Sequence, residues 1–114
     1  MTSGAPRGER AATKAAIKES LARLVEVAPG RSVEVRVPPY AVVQAVPGAT
    51  HRRGTPPAVV ETDAATWLAL ADGSLRWSEA VASGRVRASG ERSDLSPWLP
   101  LPGPEPSPSD VEPA

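Results

Sequence analysis

No cysteine occurs in the 114 residues. That removes a disulfide framework, a thiolate metal site and a thiol nucleophile together. Phenylalanine is also absent and there is a single tyrosine, so stacking platforms for nucleic-acid bases are scarce. The only histidine, His51, has no second imidazole with which to share a metal ion. It stands beside Arg52 and Arg53, a poor setting for a Ser-His-Asp relay. No apolar run approaches the roughly 20 residues of a membrane span. The alanine-rich stretch 11–28 is broken by Lys14, Lys18, Glu19 and Arg23. The N-terminus lacks the charged-then-apolar pattern of a secretory signal. A cytoplasmic protein with at most transient membrane contact is expected.

An excess of charge of either sign is missing too, although the zero net charge hides an asymmetry. All 13 basic residues lie within 1–99, while Glu105, Asp110 and Glu112 fall in the last ten. The body is therefore mildly positive and the tail negative. This is far from the strongly basic face that nucleic acid requires, so no nucleic-acid partner is expected.

What is present reads as one small domain. Residues 1–8 form a lead-in, 9–100 a folded body and 101–114 a proline-rich acidic tail with little to bury. From Glu9 to Ala28, Ile17, Leu21, Leu24, Val25 and Ala28 make one apolar stripe at helical spacing, and Pro29-Gly30 stops it. Val33, Val35 and Val37 then alternate with Glu34 and Arg36, the period of a half-buried strand. Pro38-Pro39 connects this strand to a second over Tyr40–Val46, and a third covers Ala58–Glu61.

Two short helices follow in "DAATWLALADGSLRWSEAVASG". Asp63 is placed to cap the first, and Gly73 and Gly84 supply left-handed residues after each. Arg85–Ser89 alternates again, with Val86 and Ala88 expected inward. A closing turn carries Leu95, Trp98 and Leu99.

Catalytic chemistry finds no foothold. There is no G-x-S-x-G elbow, and the glycine spacing and lysine of a phosphate loop are lacking. Glu61 and Asp63, two apart at a strand end, point to opposite faces rather than pairing. No catalytic residue, metal or cofactor is expected.

The glycine-punctuated segment 63–99, read through Leu70, Gly73, Leu75, Ala80, Val81, Gly84, Val86 and Gly90, resembles the C-terminal half of sterol-carrier-like domains. The upstream "SVEVRVPPYAVVQAV" and "HRRGTPPAVVETD" are similar to the short actinobacterial branch of sterol carrier family proteins. Heavy alanine and arginine usage with two lysines fits a GC-rich genome. The resemblance implies an α+β fold, with a mixed, mostly antiparallel sheet of about five strands and helices packed on one face. It also implies an apolar space between the two layers that accepts sterols, fatty acyl chains or other lipids. This chain has no phenylalanine and its one methionine is the first residue, which points to a smaller or partly filled space.

Two functions follow from the resemblance. One is a non-catalytic lipid or sterol carrier lined by Trp67, Leu70, Trp77, Val81, Trp98 and Leu99, with His51, Arg52 and Arg53 meeting a head group or an acidic partner. The other is an accessory or interaction domain with a closed interior, partnering a separate enzyme. Sterol-carrier-like domains also occur fused to enzymes, including mycothiol-dependent isomerases.

Overall fold

The stripe on the first helix becomes the spine of the core. In a computed structural model, which describes residues 7–48, 58–90 and 93–102, helix α1 runs Arg7–Val27. Ile17, Leu21, Leu24 and Ala28 are fully buried along it. Each large aliphatic among them contributes about 1.5–3 kcal/mol by leaving water. Its first half differs: between Gly8 and Ala16 no side chain is buried.

Strands β1 (Val33–Val37) and β2 (Ala41–Ala45) form an antiparallel hairpin, with Val37 facing Ala41 across the turn. The Tyr40 N–H donates to the Val37 carbonyl at 2.9 Å and closes that turn. Strand β3 (Val59–Thr62) lies parallel to β1 on its other side, and β4 (Val86–Ser89) pairs antiparallel with β3. The order is β2-β1-β3-β4. Among the described residues the sheet has four strands, not about five. The sequence itself holds four runs of strand periodicity, and the fifth rested on the resemblance alone.

Alternation sorts the two faces of the sheet. Val33, Val35, Val37, Ala45, Val60 and Val86 are buried beneath the helices. Glu34, Arg36, Val42, Gln44, Glu61 and Arg87 occupy the other face. The register sets Arg36 level with Glu61, and Glu61 level with Arg87, a row of alternating sign across three strands. Within this row Arg36 pairs instead with Glu34 of its own strand, at 2.6 Å. Ala88 shares the face of Val86 yet is exposed, so only the first residue of β4 is covered.

Helix α2 (Ala64–Asp72) starts where Asp63 Oδ1 accepts the Thr66 N–H at 2.7 Å, satisfying an otherwise orphaned donor of the first turn. Helix α3 (Trp77–Ala82) is shorter, and Gly73 and Gly84 follow the two helices with φ of 88° and 78°. Trp67, wholly buried on α2, donates its indole N–H to Ser20 Oγ of α1 at 2.8 Å. That hydroxyl in turn donates to the Ile17 carbonyl at 2.9 Å. The indole therefore fills the core and loses no hydrogen bond in doing so.

A tight crossing joins the chain before β1 to the chain after β2. The Val46 N–H donates to the Ala28 carbonyl at 2.6 Å. The Val46 carbonyl accepts from the Ser32 N–H at 3.1 Å and from Ser32 Oγ at 2.7 Å. Val46 itself holds φ 75°, a left-handed conformation that β-branched residues avoid. Three hydrogen bonds and burial of its side chain hold it there.

After a 3-10 turn at Ser96–Trp98, the chain returns to the helices. Leu101 is buried, and its N–H donates to the Ala71 carbonyl at 2.9 Å. Buried side chains thus run from Ile17 to Leu101, while most of the expected lead-in 1–8 and tail 101–114 lies outside the described residues. The sequence hid Leu101 inside a proline-rich run. No helix among the described residues is long and apolar enough to cross a membrane.

Candidate apolar cleft at the helix ends

The end of α2 is shaped by the three residues that follow it. The Gly73 and Leu75 N–H groups both donate to the Ala69 carbonyl at 3.1 Å, and the Ser74 N–H donates to Asp72 Oδ1 at 2.8 Å. These bonds reverse the chain within two residues and return Leu75 toward the body, where it is half-buried. Hydrogen bonds from Ser74 hold the Asp72 carboxyl below its ordinary value of 3.8. Arg76 and Trp77 then open α3.

Opposite this reversal runs the closing segment 93–101. Leu95, fully buried, pins one end and Leu101 the other. Asp94 Oδ1 accepts the Ser96 N–H at 2.8 Å, and the Trp98 N–H donates to the Leu95 carbonyl at 3.0 Å. Between the pins, Leu99 and Pro100 stand across from the helix ends.

The two parts enclose a cleft of about 440 Å³, with Leu70, Leu75, Trp77 and Leu99 among its apolar lining and Arg76, Ser78, Asp94 and Ser96 among its polar lining. An apolar floor with a few polar groups, at this volume, is the usual make-up of a small-molecule site. Arg76 and Asp94 form no salt bridge among the described residues.

Of the six residues expected to line an apolar space, Leu70, Trp77 and Leu99 meet here. Trp67 does not reach the cleft; it is the centre of the core. Trp98 packs half-buried against the core. Val81 is 40% exposed, while its neighbour Ala80 is fully buried. In a helix of six residues one position is a rotation of 100°, enough to turn Val81 outward. His51, Arg52 and Arg53 lie outside the described residues.

Sequence reasoning missed Leu75, Arg76, Ser78, Asp94, Ser96 and Pro100. Leu75 stood in plain sight within "DGSL", and the aspartate of "SDLS" marks a side-chain-capped turn. The cleft has no strand residue in its lining. Between sheet and helices the large buried side chains are Ile17, Leu21, Leu24, Trp67, Leu70 and Leu95.

A larger groove, about 600 Å³, lies between α1 and α2, lined by Ala16, Glu19, Ser20, Arg23, Leu68, Ala71, Asp72 and Leu101. Its polar groups are partly committed: Arg23 Nη1 holds Glu19 Oε1 at 2.6 Å, and Ser20 is bonded to Trp67. The described residues include no group of three or more His, Asp or Glu that could hold a metal ion.

A family model described as "Bacterial SCP ortholog" matches residues 9–101, most of the chain. None of the curated proteins matches it.

Proposed function

Since the chain belongs to this bacterial sterol-carrier-protein-like family, we propose that it is a non-catalytic carrier that holds an apolar ligand in the cleft between the ends of α2 and α3 and the closing segment. A fatty acyl chain, a sterol or another lipid would enter it. One observation carries the reading: Leu70, Trp77 and Leu99, set on three different elements, converge on a single cleft of about 440 Å³. That volume is about 15 times the space one water takes in the liquid. Affinity would come from moving ligand apolar surface out of water, at about 25 cal/mol per Å². Arg76 and Asp94 at the mouth would stay hydrated and meet the polar end of the ligand.

Tryptophan emission tests this reading directly. Delipidated protein titrated with a fatty acid below its micelle concentration gives a saturable shift, because Trp77 lines the cleft. Leu99→Arg, which brings a charge to the lining, abolishes the shift while Trp67 keeps its native emission. A flat titration of folded wild-type protein with acyl chains, sterols and phospholipids sinks the carrier reading.

A second reading has its own support. Large side chains such as Trp67 and Leu95 are fully buried between sheet and helices, and at the sheet edge Arg85 just before β4 and Arg87 within it are exposed. An accessory domain that docks on a separate enzyme fits those two features. The flat titration is the outcome it expects.

A further inference from the structure

Among the described residues, the first half of α1 has no packing partner. From Gly8 to Ala16 every described side chain is exposed or, for Thr13, half-exposed, whereas Ile17, Ser20, Leu21 and Leu24 beyond it are buried. A helical stretch this short is marginal without tertiary cover. Directly below it on the same helix begins the groove lined by Ala16, Glu19, Ser20 and Arg23. Helical spacing places Glu9, Ala12 and Thr13 on the upward continuation of that face.

One charged side chain in the groove has hydrogen-bonding capacity left over. Glu19 takes Nη1 of Arg23, while Arg23 Nε is buried and unpartnered. The Arg23 side chain as a whole is partly exposed, so the accessible N–H groups of its guanidinium can donate to a second carboxylate. Glu9, exposed on the free half of α1, makes no ion pair among the described residues.

We propose that the groove between α1 and α2 receives the free half of α1 from a second copy of this chain, in a two-fold symmetric antiparallel contact centred on Ala16. A two-fold there sets residue 16+k of one helix level with 16−k of the other. Arg23 then faces Glu9 of the second copy, Ser20 faces Ala12 and Glu19 faces Thr13. The small side chains at Ala12, Thr13 and Ala16 let the helix axes approach closely. Lengths agree as well: Gly8–Ala16 rises about 12 Å and Ala16–Arg23 about 10 Å. Leu68, Ala71 and Leu101 form the apolar side of the groove against which the visiting turn packs. The contact uses neither the cleft nor its ligand, so it stands apart from the carrier reading.

Two half-helices make a small interface, so association is reversible and depends on concentration. Sedimentation or light scattering of the full chain shows a mass that climbs from 11.8 kDa toward twice that value as concentration rises. Glu9→Lys leaves the melting curve unchanged and keeps the protein monomeric. Ala12→Trp, an exposed helical position filled with bulk, does the same. Adding Arg23→Glu to Glu9→Lys restores the dimer by reversing both charges. Arg23→Glu also meets Glu19 within one copy, so if that variant does not fold, Glu9→Lys and Ala12→Trp decide. A wild-type protein that is monomeric at its highest soluble concentration overturns the proposal. So does a dimer that survives both Glu9→Lys and Ala12→Trp, or a folded double variant that stays monomeric.

Discussion

Replacing Gly30 with alanine should be among the most damaging one-carbon changes in this protein. Gly30 sits where the chain entering β1 passes under Val46, with φ 149°. An added Cβ would lie 2.2 Å from the Val46 carbonyl oxygen and 2.7 Å from Pro47 Cα, both backbone atoms. Neither can rotate away, because the Val46 carbonyl is held by Ser32 and the Val46 N–H by Ala28. Overpacking a fixed site costs about 1–3 kcal/mol, and a positive-φ backbone costs a residue with a Cβ about 1–3 kcal/mol more. The sum of about 2–6 kcal/mol lowers Tm by roughly 8–48 °C in a domain of this size. Gly84→Ala provides the comparison. Its φ is also positive, at 78°, but nothing lies within 4 Å of the added carbon. Only the conformational cost of about 1–2 kcal/mol remains, a Tm loss of roughly 4–15 °C. Thermal melts followed by circular dichroism, with urea midpoints as a second probe, measure both. If Gly30→Ala melts within a few degrees of wild type, or no lower than Gly84→Ala, the crossing is not the rigid contact described.

Other expectations are more local. Ser20→Ala leaves the buried Trp67 N–H without an acceptor and costs about 1–3 kcal/mol in urea unfolding; adding Trp67→Phe should then cost less than the two single losses summed. Leu101→Ala removes a buried side chain and costs about 2–5 kcal/mol, so a chain ending at Pro100 should be clearly less stable than one ending at Pro102. Asp63→Ala takes away the α2 cap and costs about 1 kcal/mol, read from the same melts. Asp72 titrates below 3.8 in the folded protein, so its contribution is present above that pH and fades as pH falls through the lowered folded value. Asp72→Asn should therefore flatten the acid limb of the stability profile below about pH 4 while leaving its shape near neutrality unchanged.

Much of the fold was legible because its signals are local. Valine alternation marked β1, and the spacing of Ile17, Leu21, Leu24 and Ala28 marked the buried face of α1. Asp63 and Gly73 announced the two ends of α2. What escaped depends on contacts between distant segments. Ser20 reads as a polar surface position until Trp67, 47 residues away, supplies its partner. Val46 carries no glycine or asparagine signal, yet tertiary hydrogen bonds hold it left-handed. The candidate cleft was half legible for the same reason. Leu70, Trp77 and Leu99 follow from apolarity on short elements, whereas Arg76, Asp94 and Ser96 join them only because the closing segment folds back.

The row Arg36, Glu61, Arg87 has a consequence for how this molecule behaves in a crowd. A four-stranded sheet with one face uncovered by helices and β2 and β4 at its edges offers two routes to aggregation, stacking of faces and pairing of edges. Stacking two such faces would strip water from guanidinium and carboxylate groups whose charges need not find opposite partners in an arbitrary register. That desolvation cost rises with every charged rung brought into the stack. The row thus acts as a repellent coating whose strength lies in its hydration more than in any ion pair. Neutralising it with Arg36→Val and Arg87→Val would leave the buried side of the sheet intact and make the protein prone to self-association through its open face.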